Sequence, residues 1–194
     1  MLTRKDIPEF LNQKELIGYG AEIGVLRGEF SKHILEKWKG KKLYLIDSWR
    51  YSKDIVDLNN FEFKEQLENY SKTFSNIYSF GDRATIIREF SREASRLFPD
   101  NYFDFVFLDA RHDFENVTID LESWYPKVKP DGYLMGHDYL DNITKVGGDI
   151  VFSTKFEVKS AVDIFAFVRN LEVYVIEDKS DPFYPSWYIK KLTA

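Results

Sequence analysis

From Tyr19 onward the chain alternates two periodicities: short apolar runs rich in β-branched and aromatic residues, and longer stretches whose apolar residues recur at helical spacing. The runs 19–25, 42–46, 84–87, 103–108 and 132–136 predict strands, and several are nearly all apolar, as strands covered on both faces are. Between them, Phe30, Ile34, Leu35 and Trp38 share one helical face. So do Phe63, Leu67, Tyr70, Phe74 and Ile77, and later Phe114, Val117, Leu121 and Trp124. This order predicts βαβ units and an α/β fold, with a central, mostly parallel sheet covered by helices on both faces.

Pro126 stops the third of these helices, and Lys129-Pro130-Asp131-Gly132 predicts a turn into the next strand. Ser160 reads as the cap of a further helix with a buried stripe of Ala161, Ile164, Phe165, Val168 and Leu171. Residues 172–176 and 186–189 predict two last strands. The turn-rich stretch between them, with Asp181-Pro182 and Tyr184-Pro185, permits an antiparallel hairpin but no helical crossover. Ile7, Phe10 and Leu11 predict a short helix before the first strand. The stretch 141–159, with Gly147-Gly148, reads as a surface loop or lid.

Composition narrows the class. The 194 residues fit one domain, 1–194, and 44% hydrophobic with 17% aromatic content excludes a disordered chain. A net charge of −5 argues against a broad phosphate-binding surface, so nucleic acid is not the expected partner. With 0 Cys, disulfides, thiolate zinc sites and cysteine nucleophiles are excluded. The N-terminus lacks the apolar core of a signal peptide, and no run approaches the roughly 20 apolar residues of a membrane span. The expectation is a cytoplasmic protein acting on a small molecule, without a membrane partner and with homo-oligomerisation left open.

Candidate chemistry begins at Glu22-Ile23-Gly24-Val25-Leu26-Arg27-Gly28, where a strand gives way to a helix and glycines allow backbone to pass close to a ligand. The dinucleotide fingerprint Gly-x-Gly-x-x-Gly fails, because Leu26 stands two residues after Gly24, which disfavours a nicotinamide cofactor. The next strand ends in Tyr44-Leu45-Ile46-Asp47, placing a carboxylate where it can accept hydrogen bonds from both hydroxyls of a ribose. Ser48 and Trp49 follow, and Trp49 reads either as a platform for a purine or as core. Asp109 and the His137-Asp138 pair fall at the carboxyl ends of the fourth and fifth strands, where ligands of open α/β sheets bind, with His112 close behind Asp109. Asp109 and His112 are candidates for base catalysis. His33, among Lys32, Glu36 and Lys37, reads as a solvated surface residue.

Taken together, the glycine turn, Asp47, the run Phe105 to Phe114 and the run Tyr125 to Tyr139 resemble class I S-adenosylmethionine-dependent methyltransferases with a Rossmann-like sheet. The later match, including Ala161-Val162-Asp163 and Ser186-Trp187-Tyr188-Ile189, is similar to the small branch that contains macrocin-type sugar O-methyltransferases. The resemblance implies S-adenosylmethionine as cofactor, with Glu22, Gly24 and Gly28 at its methionine end, Asp47 at the ribose, and Ser48, Trp49, Ser91 and Asp109 around the rest. Ser91 also reads as a helix cap. It further implies a divalent metal, Mg or Mn, on Asp109, His137 and Asp138. Where those relatives carry adjacent carboxylates this chain has His137-Asp138, which suits Mn better than Mg, or no metal. The expected reaction is methyl transfer to a hydroxyl oxygen of a sugar-like small molecule. The alternative is a non-catalytic, regulatory module that binds the same cofactor.

Overall fold

A computed structural model describes residues 2–51, 61–141, 156–178 and 184–193. Seven strands form one sheet: β1 (Tyr19–Ile23), β2 (Lys42–Asp47), β3 (Ala84–Arg88), β4 (Phe103–Leu108), β5 (Val128–Gly136), β6 (Val173–Ile176) and β7 (Ser186–Lys190). Their order is β3-β2-β1-β4-β5-β7-β6. The first five pair in parallel, while β7 runs antiparallel to both β5 and β6, so the mostly parallel sheet and its C-terminal antiparallel hairpin are both present. The strand order reverses between β1 and β4, which makes the carboxyl ends of these strands the place for a ligand.

Helices α1 (Ile7–Gln13), α2 (Glu29–Lys37), α3 (Phe63–Ile77), α4 (Ser91–Ser95), α5 (Phe114–Trp124) and α6 (Val158–Val168), with short 3-10 turns at Arg4–Asp6, Tyr78–Arg83 and Tyr125–Lys127, complete the described elements. Two apolar cores lie on opposite faces of the sheet. One packs Val117, Leu121 and Trp124 of α5 and Ala161, Val162 and Phe165 of α6 on β1, β4 and β5. The other packs Ile7 and Leu11 of α1 and Ile34 and Leu35 of α2 under Phe105 and Phe107. Central β4 is buried along its whole length, its apolar run broken only by Asp104, whose carboxylate accepts from Gly18 N–H and Lys129 Nζ. The predicted turn at Lys129-Pro130-Asp131-Gly132 is an irregularity inside β5, where the pairing with β4 jumps from Phe103↔Val128 to Phe105↔Tyr133.

Two predicted faces are turned in part: Tyr70 and Ile77 of the α3 stripe and Ala161, Phe165 and Leu171 of the α6 stripe pack on the core as expected, and the rest do not. On α3, Phe63, Leu67 and Phe74 are exposed, and the buried residues are Gln66, Asn69, Thr73 and Ile77. The cause is the glycine turn beneath the helix, whose polar backbone needs partners. Thr73 Oγ1 donates to Leu26 O at 3.1 Å, Asn69 Oδ1 accepts from Arg27 Nε at 2.9 Å, and Asn76 Nδ2 donates to Arg27 O at 2.8 Å. On α6, Ser160 is not the cap; the helix begins at Val158, and Ser160 binds the Asp141 carboxylate through its backbone N–H and Oγ. Its buried stripe is Val158, Ala161, Val162, Phe165 and Ala166, leaving Ile164 and Val168 outside. Most of the predicted loop 141–159 lies outside the described residues. No helix among them is long and apolar enough to cross a membrane.

Candidate active site

The glycine turn is a strained backbone held by its neighbours. Gly24 and Gly28 have φ of 85° and 74°, and Leu26, where a glycine would be at ease, has φ 55°. A Cβ on Gly24 would lie 1.9 Å from Asp109 O, so glycine is required for β1 and β4 to bring this turn and Asp109 together. Asp47 supplies the clamp: Oδ2 accepts from the N–H groups of Val25 at 2.9 Å and Leu26 at 3.0 Å, and Oδ1 from that of Trp49 at 2.9 Å. Trp49 Nε1 then donates to Leu26 O at 2.7 Å. The carboxylate expected to hold two ribose hydroxyls thus already carries three backbone bonds, and by count one lone-pair direction of Oδ1 stays open to a ligand.

Beside this turn lies a cavity of about 400 Å³, within the range of small-molecule sites. Of the sequence-derived cofactor residues, Gly24, Asp47, Ser48, Ser91 and Asp109 line it. Glu22, Gly28 and Trp49 do not. Trp49 is 1% exposed and packs edge-on against Tyr70, which makes it core rather than a platform. Gly28 caps α2, and Glu22 is buried under the turn with its Oε2 accepting the Ser31 hydroxyl. Ser91 is not the α4 cap, a position taken by Phe90. Its Oγ instead donates to Asp120 Oδ1 at 2.5 Å.

The four catalytic and metal candidates converge. His112 Nε2 lies 2.9 Å from Asp138 Oδ2 and 4.0 Å from Asp109 Oδ1, and His137 Nδ1 lies 3.1 Å from Asp138 Oδ1. The imidazole of His112 stacks on Phe156 at 4.5 Å, and its carbonyl accepts from Glu157 N at 2.8 Å, which ties it to the approach to α6. His137 is fixed between strands, its N–H on Leu108 O at 3.1 Å and its carbonyl receiving Trp187 Nε1 at 3.2 Å. Asp138 takes a left-handed φ of 54°. Burial pushes the Asp138 carboxyl up, but the two histidines outweigh it and hold it well below the ordinary carboxylate range.

Sequence reasoning missed Arg4, which enters from the segment before α1. Its Nη2 lies 2.7 Å from Asp109 Oδ2, and its guanidinium stacks over Phe30 at 4.3 Å and Phe107 at 5.3 Å. His33, read as a bare surface residue, anchors that segment through Nε2 and Lys5 O at 2.8 Å. Burial raises the Asp109 carboxyl, and Arg4 followed by His112 pull it back below its usual value. Also missed were Phe90, Ile119 and Asp120 of the cavity wall. Asp120 had a legible signal: an acidic residue on the apolar face that carries Val117, Leu121 and Trp124.

Ligand atoms of Asp109, His137 and Asp138 lie within 4.8 Å of one another, a spacing a cation can use. The electrostatics fit a metal poorly. Both Asp138 oxygens face histidines, and a guanidinium already sits on Asp109, placing one positive charge where a dication would add two. The cavity fits an adenosyl cofactor better, offering a tight glycine turn, a carboxylate at the end of β2 and an apolar far end.

Comparison with known proteins agrees with this geometry. An O-methyltransferase from Bacillus cereus, solved with SAH, superposes with a TM-score of 0.64 at 14% identity, over 97% of this chain and 80% of that one. The N-methyltransferase NodS from Bradyrhizobium japonicum gives 0.62 at 12% identity, over 98% and 95%. The 1,6-didemethyltoxoflavin-N1-methyltransferase from Burkholderia thailandensis, solved with S-adenosylhomocysteine, gives 0.61 at 11% identity, over 98% and 77%. No curated protein sequence matches. The profile of the methyltransferase domain matches residues 21–139, more than half of the chain. The chain therefore belongs to the methyltransferase-domain family, and its fold is the one these solved methyltransferases share.

Proposed function

We propose that residues 1–194 form one methyltransferase domain that methylates a hydroxyl oxygen of a small polyhydroxylated acceptor. The observation that carries this reading is Asp109: it lines the cofactor cavity and stands 4.0 Å from His112, so the cavity and the histidine cluster meet at one residue. Bound in the cavity, S-adenosylmethionine supplies an electrophilic methyl group on a sulfonium. The chain's own residues then position and deprotonate the acceptor. His112 takes the hydroxyl proton, since an imidazole exchanges protons near neutral pH, while Asp109 is engaged by the Arg4 guanidinium and Asp138 by the imidazoles on either side of it. Asp138, 2.9 Å from Nε2, stabilises the imidazolium as it forms. Asp109, neutralised by Arg4, fixes the acceptor side of the cavity. No step is routed through a metal. The likeness to the macrocin-type branch supports a sugar-like acceptor, while the NodS and toxoflavin neighbours act at nitrogen, so the choice of oxygen rests on the base.

The test is formation of S-adenosylhomocysteine across a panel of polyhydroxylated acceptors, with and without a chelator. With an accepted compound, His112→Ala and Asp138→Asn should lower the single-turnover rate by about 10²–10⁴-fold and about tenfold respectively, with cofactor affinity retained. Undiminished rates in His112→Ala would remove the base, and loss of turnover on chelation would restore the metal. Cofactor binding without product on any acceptor would favour the regulatory module.

A further inference from the structure

The cation beside Asp109 has more hydrogen-bonding capacity than Asp109 uses. A guanidinium carries five N–H donors in a planar fork. Arg4 gives one of them, from Nη2 to Asp109 Oδ2 at 2.7 Å, and meets no other acceptor among the described residues; its Nε is buried and unpartnered. The side chain is 27% exposed, so a ligand can reach it.

The chain's own groups hold this fork in place. Its face lies over the Phe30 ring at 4.3 Å and the Phe107 ring at 5.3 Å, which leaves its N–H edge for polar partners. The turn that carries it is pinned on both sides. Asp6 Oδ2 accepts from Thr3 N at 2.9 Å and from Thr3 Oγ1 at 2.8 Å, and Lys5 O lies 2.8 Å from His33 Nε2. A fork so held loses little freedom on meeting a planar anion.

Position and charge say which anion. Arg4 is not among the residues that line the cofactor cavity. Asp109 divides its oxygens between Arg4 on Oδ2 and His112, whose Nε2 is 4.0 Å from Oδ1. A hydroxyl set against His112 and an acid group set against Arg4 therefore fit within one small molecule. Burial pushes the Glu22 carboxyl up to about 8, so near neutral pH it keeps its proton and Asp109 alone balances Arg4. On the cofactor reading, a sulfonium adds one positive charge to the cavity that Asp109 lines, which matches a single negative charge on the acceptor. A carboxylate carries that one charge, and its two oxygens suit the fork, whereas a phosphate dianion exceeds it.

We propose that Arg4 holds a carboxylate of the acceptor, so that the substrate is a polyhydroxylated acid of the sugar-acid kind rather than a neutral sugar. The inference rests on the function proposed above.

The test is NMR of the isotope-labelled full chain saturated with sinefungin, an unreactive cofactor analogue whose ammonium stands in for the sulfonium. Gluconate, sorbitol and sorbitol phosphate, which share a polyol chain and differ in the acid, are titrated in turn. The Arg4 Nε–H resonance, assigned by its absence from Arg4→Lys, should shift saturably with gluconate, and gluconate should bind about tenfold or more tightly than sorbitol. Arg4→Lys keeps a cation for Asp109 but loses the fork, so gluconate affinity should fall by about tenfold while sinefungin affinity stays within about twofold. Equal affinities for gluconate and sorbitol, tighter binding of sorbitol phosphate, or gluconate affinity unchanged in folded Arg4→Lys would overturn the proposal and leave the cofactor reading standing. Loss of sinefungin from folded Arg4→Lys would assign the guanidinium to the cofactor and overturn the proposal as well. Failure of wild type to bind sinefungin would overturn the cofactor reading, and the proposal with it.

Discussion

Glu22 shows how much the site depends on single residues in unfavourable surroundings. Its carboxyl is 2% exposed and pushed up to about 8, first by burial and further by Asp109 and Asp47, against the pull of Ser31 and Arg4. Because the folded value lies above the unfolded one, near 4.5, the folded state holds this proton more tightly. The group's contribution to stability is complete below about 4.5 and is lost as pH rises to about 8. Glu22→Gln should abolish that loss. Denaturant unfolding should find the variant close to wild type at pH 4.5 and more stable by on the order of a few kcal/mol at pH 9. An equal pH dependence in the two proteins would show that Glu22 ionises freely in the fold. At this scale the sequence was legible where chemistry is local: Gly24, Asp47 and Asp109 were visible as a turn, a strand-end acid and a second strand-end acid. Arg4 was not, because a cation so far from Asp109 in sequence joins it only once α1 has packed on α2.

At the level of elements, periodicity placed the strands and most helices but only part of the inward faces of α3 and α6. The reason on α3 is physical. An apolar stripe predicts the buried face only when the surface below it is apolar, and here it is the polar backbone of the turn around Leu26. Helix α3 therefore serves the site, holding a non-glycine residue at φ 55°. Thr73→Val keeps the shape and removes the hydroxyl. It should lower stability by about 0.5–1.5 kcal/mol, since Leu26 O keeps the Trp49 Nε1 donor and loses only its second hydrogen bond, and weaken cofactor affinity several-fold as the turn relaxes. Unfolding and calorimetric titration of the same preparation check both. Weaker stability with unchanged affinity would separate the helix from the site.

For the whole molecule, alternation of βα units specified the sheet, and the short link before β7 specified its antiparallel end. Left open was how far the fold itself shapes the cavity: the glycine turn, the Asp47 clamp and the hydrogen bonds that join Trp124, Ser91 and Asp120 are all made by the chain's own groups. A cavity of about 400 Å³ held by these bonds should bind its cofactor with little rearrangement. Its position at the reversal of strand order, together with the match of residues 21–139 to the methyltransferase domain, supports the proposal that S-adenosylmethionine is that cofactor. Calorimetric titration of the purified chain with S-adenosylmethionine is the most direct measurement. The account predicts saturable binding at one site per chain, with reduced nicotinamide cofactor giving none; a folded protein that takes up no S-adenosylmethionine would contradict it.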